Sequence, residues 1–133
     1  MKKKQIVVVL IVVVLVIGAI GVKVAYDRIN TNLMKLAEIE IADIDLSATK
    51  DGTYEGSYGS FPVSAKVKLV IKDHTVVSID LLEHKNGQGK DAEIIPSLVV
   101  KEQSLNIDQV SGATYSSKVI LKAIENALDQ SIK

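Results

Sequence analysis

Hydrophobic and polar positions divide the chain into three zones. The first, QIVVVLIVVVLVIGAIGV from Gln5 to Val22, contains no charged residue. As a helix, the stretch from Ile6 to Val22 would be roughly 26 Å long at about 1.5 Å per residue. Continued to Tyr26, with the Lys23 ammonium reaching into the headgroups, it matches the roughly 30 Å of a bilayer core. The second zone covers 27–49. There Ile29, Leu33, Leu36 and Ile39 or Glu40 fall near helical spacing, which predicts a juxtamembrane helix of about four turns and then a linker ending near Thr49. This zone reads as a stalk.

The third zone begins near Lys50. DGTYEGSYG mixes turn residues with tyrosines and predicts a short first strand. In PVSAKVKLVIK, Val63, Ala65, Val67, Leu69 and Ile71 alternate with Ser64, Lys66, Lys68 and Lys72, the period of a half-buried strand. Asp73-His74 is a two-residue turn candidate. TVVSIDLLEH then returns with Val77, Ile79 and Leu81 on one face, completing an antiparallel hairpin. KNGQGKD, 85–91, is a polar loop bearing glycine. Pro96 belongs in the first turn of the helix that follows, where its missing N–H costs nothing; Leu98, Val99, Glu102 and Leu105 mark one face of that helix. SSKVILKAIENALDQ sets Val119, Ile120, Ala123, Ile124, Ala127 and Leu128 on an amphipathic stripe that predicts a helix lying on the sheet. The expected class is α+β: a small antiparallel sheet with helices on one face, preceded by a single N-terminal transmembrane helix. Its expected parts are a cytoplasmic tail (1–4), a membrane span (5–26), a helix and linker (27–49) and a folded domain (50–133).

Charge orients this arrangement. Lys2, Lys3 and Lys4 precede the span, against Lys23, Asp27 and Arg28 after it. The excess on the short N-terminal side predicts a cytoplasmic N-terminus and an extracytoplasmic domain in the cell membrane. A cleaved signal peptide is the alternative, although the run is long and no clear small-residue cleavage pattern follows it. Setting aside Lys2, Lys3, Lys4 and Lys23 leaves twelve basic against sixteen acidic residues, a balance near −4 that argues against nucleic acid as a partner. The chain has no cysteine, so disulfides, acyl anchors on sulfur, thiolate metal sites and iron–sulfur clusters are excluded. The two histidines, His74 and His84, are separated by a strand, and no structural metal site is expected. Any redox role has to use a bound cofactor.

The chemistry concentrates in DQVSGATYSS, Asp108 to Ser117, just before the final helix. One account makes it a helix start, with Thr114, Ser116 or Ser117 as a cap contributing about 1 kcal/mol and Gly112 supplying a permissive backbone angle. The other makes the same helix N-terminus a phosphate site, because its free N–H groups and partial positive charge suit an anion. Spacing alone does not choose between them.

Asp108, Ser111, Gly112, Ala113 and Thr114 match, position by position, the flavinylation motif of the bacterial FMN-binding domain family, which this chain resembles from about 50 to 130. The family includes the C subunit of sodium-translocating NADH:quinone oxidoreductase, the G subunit of the Rnf complex and small membrane-anchored extracytoplasmic flavoproteins; the chain is most similar to the last. The resemblance implies FMN joined covalently to Thr114 by a phosphoester. A separate flavin transferase would install it, using FAD as donor and Mg²⁺. Asp108 would be read by that transferase or would orient the loop, and Ser111 and Gly112 would let backbone approach the phosphate. EHKNGQG resembles a flavin-facing segment, which makes His84 a cofactor contact or else an exposed strand-end histidine. Tyr115 would stack on the ring or pack against the sheet. Tyr54 and Tyr58 are expected in the core, and His74 in solvent. The implied role is electron relay in a respiratory or extracellular chain, between donor and acceptor proteins or a quinone-linked dehydrogenase. No paired acid and base mark a substrate pocket, so no catalytic residue is expected. The rival readings are a non-redox sensing module holding FMN non-covalently and an interaction protein that has lost the flavin.

Overall fold

The structure, a computed structural model, describes residues 2–85 and 89–133; positions 86–88, the middle of the expected glycine loop and of EHKNGQG, lie outside the described residues. The chain forms two compact units, Met1–Asn32 and Leu33–Lys133. Most of the first is helix α1, which runs without interruption from Lys3 to Ala37 and is long and apolar enough to cross a membrane. The juxtamembrane helix expected after Tyr26 is therefore a continuation of α1, because nothing in YDRINTNL breaks its hydrogen-bond ladder.

In the second unit, strands β1 (Gly52–Ser60), β2 (Val63–Lys72) and β3 (Thr75–Lys85) form an antiparallel sheet in the order β1-β2-β3. Asp73 and His74 take positive φ angles of 51° and 60°, the conformation that a two-residue turn between right-twisted strands requires. His74 is not simply solvated, because its Nδ1–H donates to the Thr49 carbonyl at 3.0 Å. β2 keeps the alternation read from sequence, with Val63, Ala65, Val67, Leu69 and Ile71 all buried.

β3 departs from it. Its pairing with β2 slips twice, between Val70 and Ile71 and between Lys66 and Val67, leaving Val77 and Leu82 as extra residues. Each bulge reverses the facing of the strand beyond it. Val76 rather than Val77 therefore enters the core (1 % against 53 % exposed). The second slip carries the His84 side chain to the core face, opposite Ala65.

Helices α2 (Ile95–Glu102) and α3 (Thr114–Ile132) cover this face, α3 over β1 and β2, and α2 over β3. Pro96 lies in the first turn of α2. All six stripe residues of α3 are buried; full burial of an isoleucine or leucine such as Ile120, Ile124 or Leu128 contributes about 1.5–3 kcal/mol. Gly56 allows the close approach of β1. A Cβ there would stand 2.5 Å from the Ala127 nitrogen and 2.8 Å from its Cβ, so only glycine fits. On either side of Gly56, the Asn126 and Gln130 side-chain amides donate to the Ser57 and Glu55 carbonyls at 2.9 and 2.8 Å.

The stretch expected as a linker is packed. Leu36 is 0 % exposed within the core cluster, and Ile39, Ile41, Ile44 and Leu46 lie against it. The Ala42 N–H donates to Glu125 Oε2 at 3.2 Å. The Asp43 carboxylate accepts from Ser104 Oγ at 2.7 Å and from the Leu105 N–H at 3.0 Å. These bonds, that from the Leu105 backbone foremost, hold the Asp43 carboxyl below its ordinary pKa of 3.8. The folded unit thus starts well before Lys50. Leucine and isoleucine side chains at irregular spacing make this strap, and no periodicity advertises it.

Candidate functional site

The loop before α3 owes its shape to two residues. Gly112 has φ +78° with open space where a Cβ would be, so its role is conformational. Ser117, fully buried, closes the loop. Its hydroxyl donates to the Ala113 carbonyl at 2.8 Å and accepts from the Val110 N–H at 3.1 Å. The capping account is therefore not how this helix starts. Ala113 occupies the N-cap position, no side chain caps it, and Ser117 bonds backward into the loop. The first N–H of α3 with a backbone acceptor is that of Ser117. Those of Thr114, Tyr115 and Ser116 are uncommitted among the described residues.

Gly112 to Ser116 line a cavity of about 400 Å³, completed by Ala37, Val63 and Gly89, in the size range of small-molecule sites (about 300–1,000 Å³). No lining residue carries a charge. Thr114 is half-buried at the first position of α3, and its hydroxyl has no hydrogen-bond partner among the described residues. Tyr115 is 38 % exposed at the same cavity. Asp108 and Ser111 are exposed outside the lining. The Asp108 carboxylate has no partner among the described residues, so it does not orient the loop through a side-chain hydrogen bond.

His84 is not an exposed strand-end residue; its side chain is only 2 % exposed. Nδ1 lies 3.0 Å from Glu93 Oε1, and because a carboxylate only accepts, Nδ1 carries the proton. Nε2 is buried without a hydrogen-bond partner among the described residues, a state that costs free energy unless something else satisfies it. Tyr54 and Tyr58 pack against the core, as their sequence context suggested, and the Tyr54 hydroxyl donates to the Lys50 carbonyl at 3.0 Å.

The arrangement brings Gly112, Ala113, Thr114 and Tyr115 together. Sequence reading did not reach Ala37, Val63, Gly89, Ser117 or Glu93 in these roles. Only Ser117 carried a local signal, as a hydroxyl three residues past Thr114.

The model of the FMN-binding domain family matches residues 58–129. The chain belongs to this family. FMN-binding domain relatives include urocanate reductase of Eggerthella lenta, 31 % identical over 83 residues, which is 60 % of this chain and 13 % of that protein. NADH:acrylate oxidoreductase of Vibrio harveyi is 30 % identical over 99 residues, 71 % of this chain and 10 % of that protein. The chain thus covers only a small part of these named oxidoreductases, and family membership assigns it FMN as cofactor. The site fits that group. Free helix N–H groups suit its phosphate, and the cavity leaves room beside Thr114.

Proposed function

We propose that this protein is a membrane-anchored extracytoplasmic flavoprotein that carries FMN covalently on Thr114 and relays electrons. The observation behind the reading is that Thr114 stands at the open start of α3, with an unbonded hydroxyl at the edge of a cavity and uncommitted N–H groups beside it. Bound FMN supplies one- and two-electron redox chemistry that no side chain of this chain can supply.

Each residue has a definite part. Thr114 Oγ carries the phosphate as a phosphodiester. The N–H groups of Thr114, Tyr115 and Ser116 meet its remaining charge. Gly112 turns the loop and Ala113 packs beneath it. Ser111 and the exposed Asp108 are the face a flavin transferase reads, with FAD as donor, its pyrophosphate bond broken, AMP as the leaving group and Mg²⁺ on the phosphates. No side-chain base bonds the Thr114 hydroxyl among the described residues, which favours modification by that separate enzyme. Tyr115 offers its partly exposed side chain to the ring system, and His84, fixed by Glu93, offers its unsatisfied Nε2. The domain acts as a carrier, not as an enzyme. Its donors and acceptors are redox proteins or a quinone-linked dehydrogenase, met outside the membrane with the N-terminus inside.

Co-production with a flavin transferase, denaturing electrophoresis under ultraviolet light and intact mass spectrometry test this reading. One FMN phosphoester that disappears in Thr114→Ala is the expected result. Flavin that washes out on denaturation supports non-covalent sensing instead, and a colourless protein supports an interaction role.

A further inference from the structure

Part of the lining of the cavity at Thr114 comes from outside the span that matches the family. Ala37, the last residue of α1, lines the same cavity as Thr114, whereas the family match begins at Tyr58. Its position is fixed by its neighbours. Leu36 has no exposed surface, and Leu33 and Ile39 pack against the core. Beyond it the strap is fastened along α3, the helix that Thr114 begins. Lys118 Nζ, one turn from Thr114, donates to the Ile39 carbonyl at 2.6 Å. Glu125, nearly buried, accepts from the Ala42 N–H and is held by Lys122 Nζ at 2.8 Å. The strap and the acceptor helix are therefore one packed assembly.

We infer that Ala37 is a positioning residue of the flavin site: a wall, set by the strap, whose single methyl leaves room at Thr114. This rests on the reading that Thr114 carries FMN. Ala37 is itself exposed where it lines the cavity, so a side chain of indole size turned inward there takes up a large share of about 400 Å³. A domain cut at Lys50 would retain the motif and lose this wall.

The test uses the full chain in detergent, produced with a flavin transferase. The wild type should load flavin. Ala37→Trp should lose it while keeping the wild-type circular dichroism and cooperative unfolding. A second variant covers the case in which tryptophan disturbs folding. The chain has no cysteine, so Ala37→Cys provides a unique thiol. Its reaction with a maleimide should slow when flavin is attached, and should stay fast in Ala37→Cys/Thr114→Ala. Full loading of Ala37→Trp with an unchanged flavin absorption spectrum, or a maleimide rate indifferent to flavin, would overturn the wall. A wild-type chain that takes no flavin overturns the Thr114 reading itself and the wall with it, an outcome distinct from failure of the variants alone.

Discussion

α2 ends and α3 begins within a few turns of chain, and the two helix ends treat their free backbone groups in opposite ways. At the end of α2, Gln103 adopts a left-handed conformation (φ 52°, ψ 40°), where glycine or asparagine is the usual choice. Its amide compensates. Oε1 accepts from the Val76 N–H at 2.9 Å, and Nε2 donates to the Val76 and Val100 carbonyls at 2.9 and 2.6 Å. One side chain thus satisfies the edge of β3 and the last turn of α2 together. At the start of α3 four serine and threonine residues are available between Ser111 and Ser117, yet none caps the helix. Ser117 instead bonds back into the loop before the helix. The difference separates a helix end closed for stability from one left open toward a cavity. Unsatisfied donors are tolerated where a ligand is to meet them.

The largest effect should come from breaking the open end. Thr114→Ala should abolish denaturation-resistant flavin fluorescence completely and leave the unfolding midpoint near that of the unmodified wild type, because the Thr114 hydroxyl supports no other contact. A wild-type level of attached flavin in this variant would remove the distinction between the two ends. Next comes the tightly packed middle of α3. Gly56→Ala drives a methyl into the helix backbone and should cost about 3 kcal/mol in denaturant unfolding. An unchanged midpoint would show that β1 and α3 are not in close contact.

Breaking the closed end should cost less. Gln103→Ala removes the amide while keeping the strained backbone, and should destabilise by about 2 kcal/mol. Gln103→Gly should lose less, since glycine regains about 1 kcal/mol from the left-handed conformation. Equal losses in the two variants would show that the backbone angle is not strained. The smallest effect is acid sensitivity of the strap. The Asp43 carboxyl has a folded pKa below 3.8, so its contribution is present above the unfolded value and fades as pH falls through the folded one. Asp43→Asn should flatten that part of the stability profile below about pH 4. An acid limb identical in wild type and variant would show that other carboxylates govern it.

Much of the fold was legible from local pattern. The β2 alternation, the Asp73-His74 turn, Pro96 in the first turn of α2 and the α3 stripe all appear where period and turn chemistry placed them. The facing of Val76, Val77 and His84 was not legible, because strict alternation holds only while two strands stay in register, and a bulge is a property of the pair. The strap was misread as a spacer for a related reason: Ile39, Ile41 and Ile44 follow no regular period, and what buries them lies about eighty residues further along the chain. Within the site, the motif marked Thr114 and its neighbours. Ala37 and Glu93 have no feature that distinguishes them before folding.

The residues by themselves determined an uncharged apolar helix of membrane length, a hairpin of set chirality, an amphipathic last helix and a threonine at its start, since each follows from interactions among near neighbours in the chain. Only the tertiary structure decided that the helix start stays uncapped, that His84 turns inward and that the end of α1 lines the same cavity as Thr114. These depend on strand register and on long-range packing, where the free energy belongs to contacts between segments and no short stretch of sequence carries it.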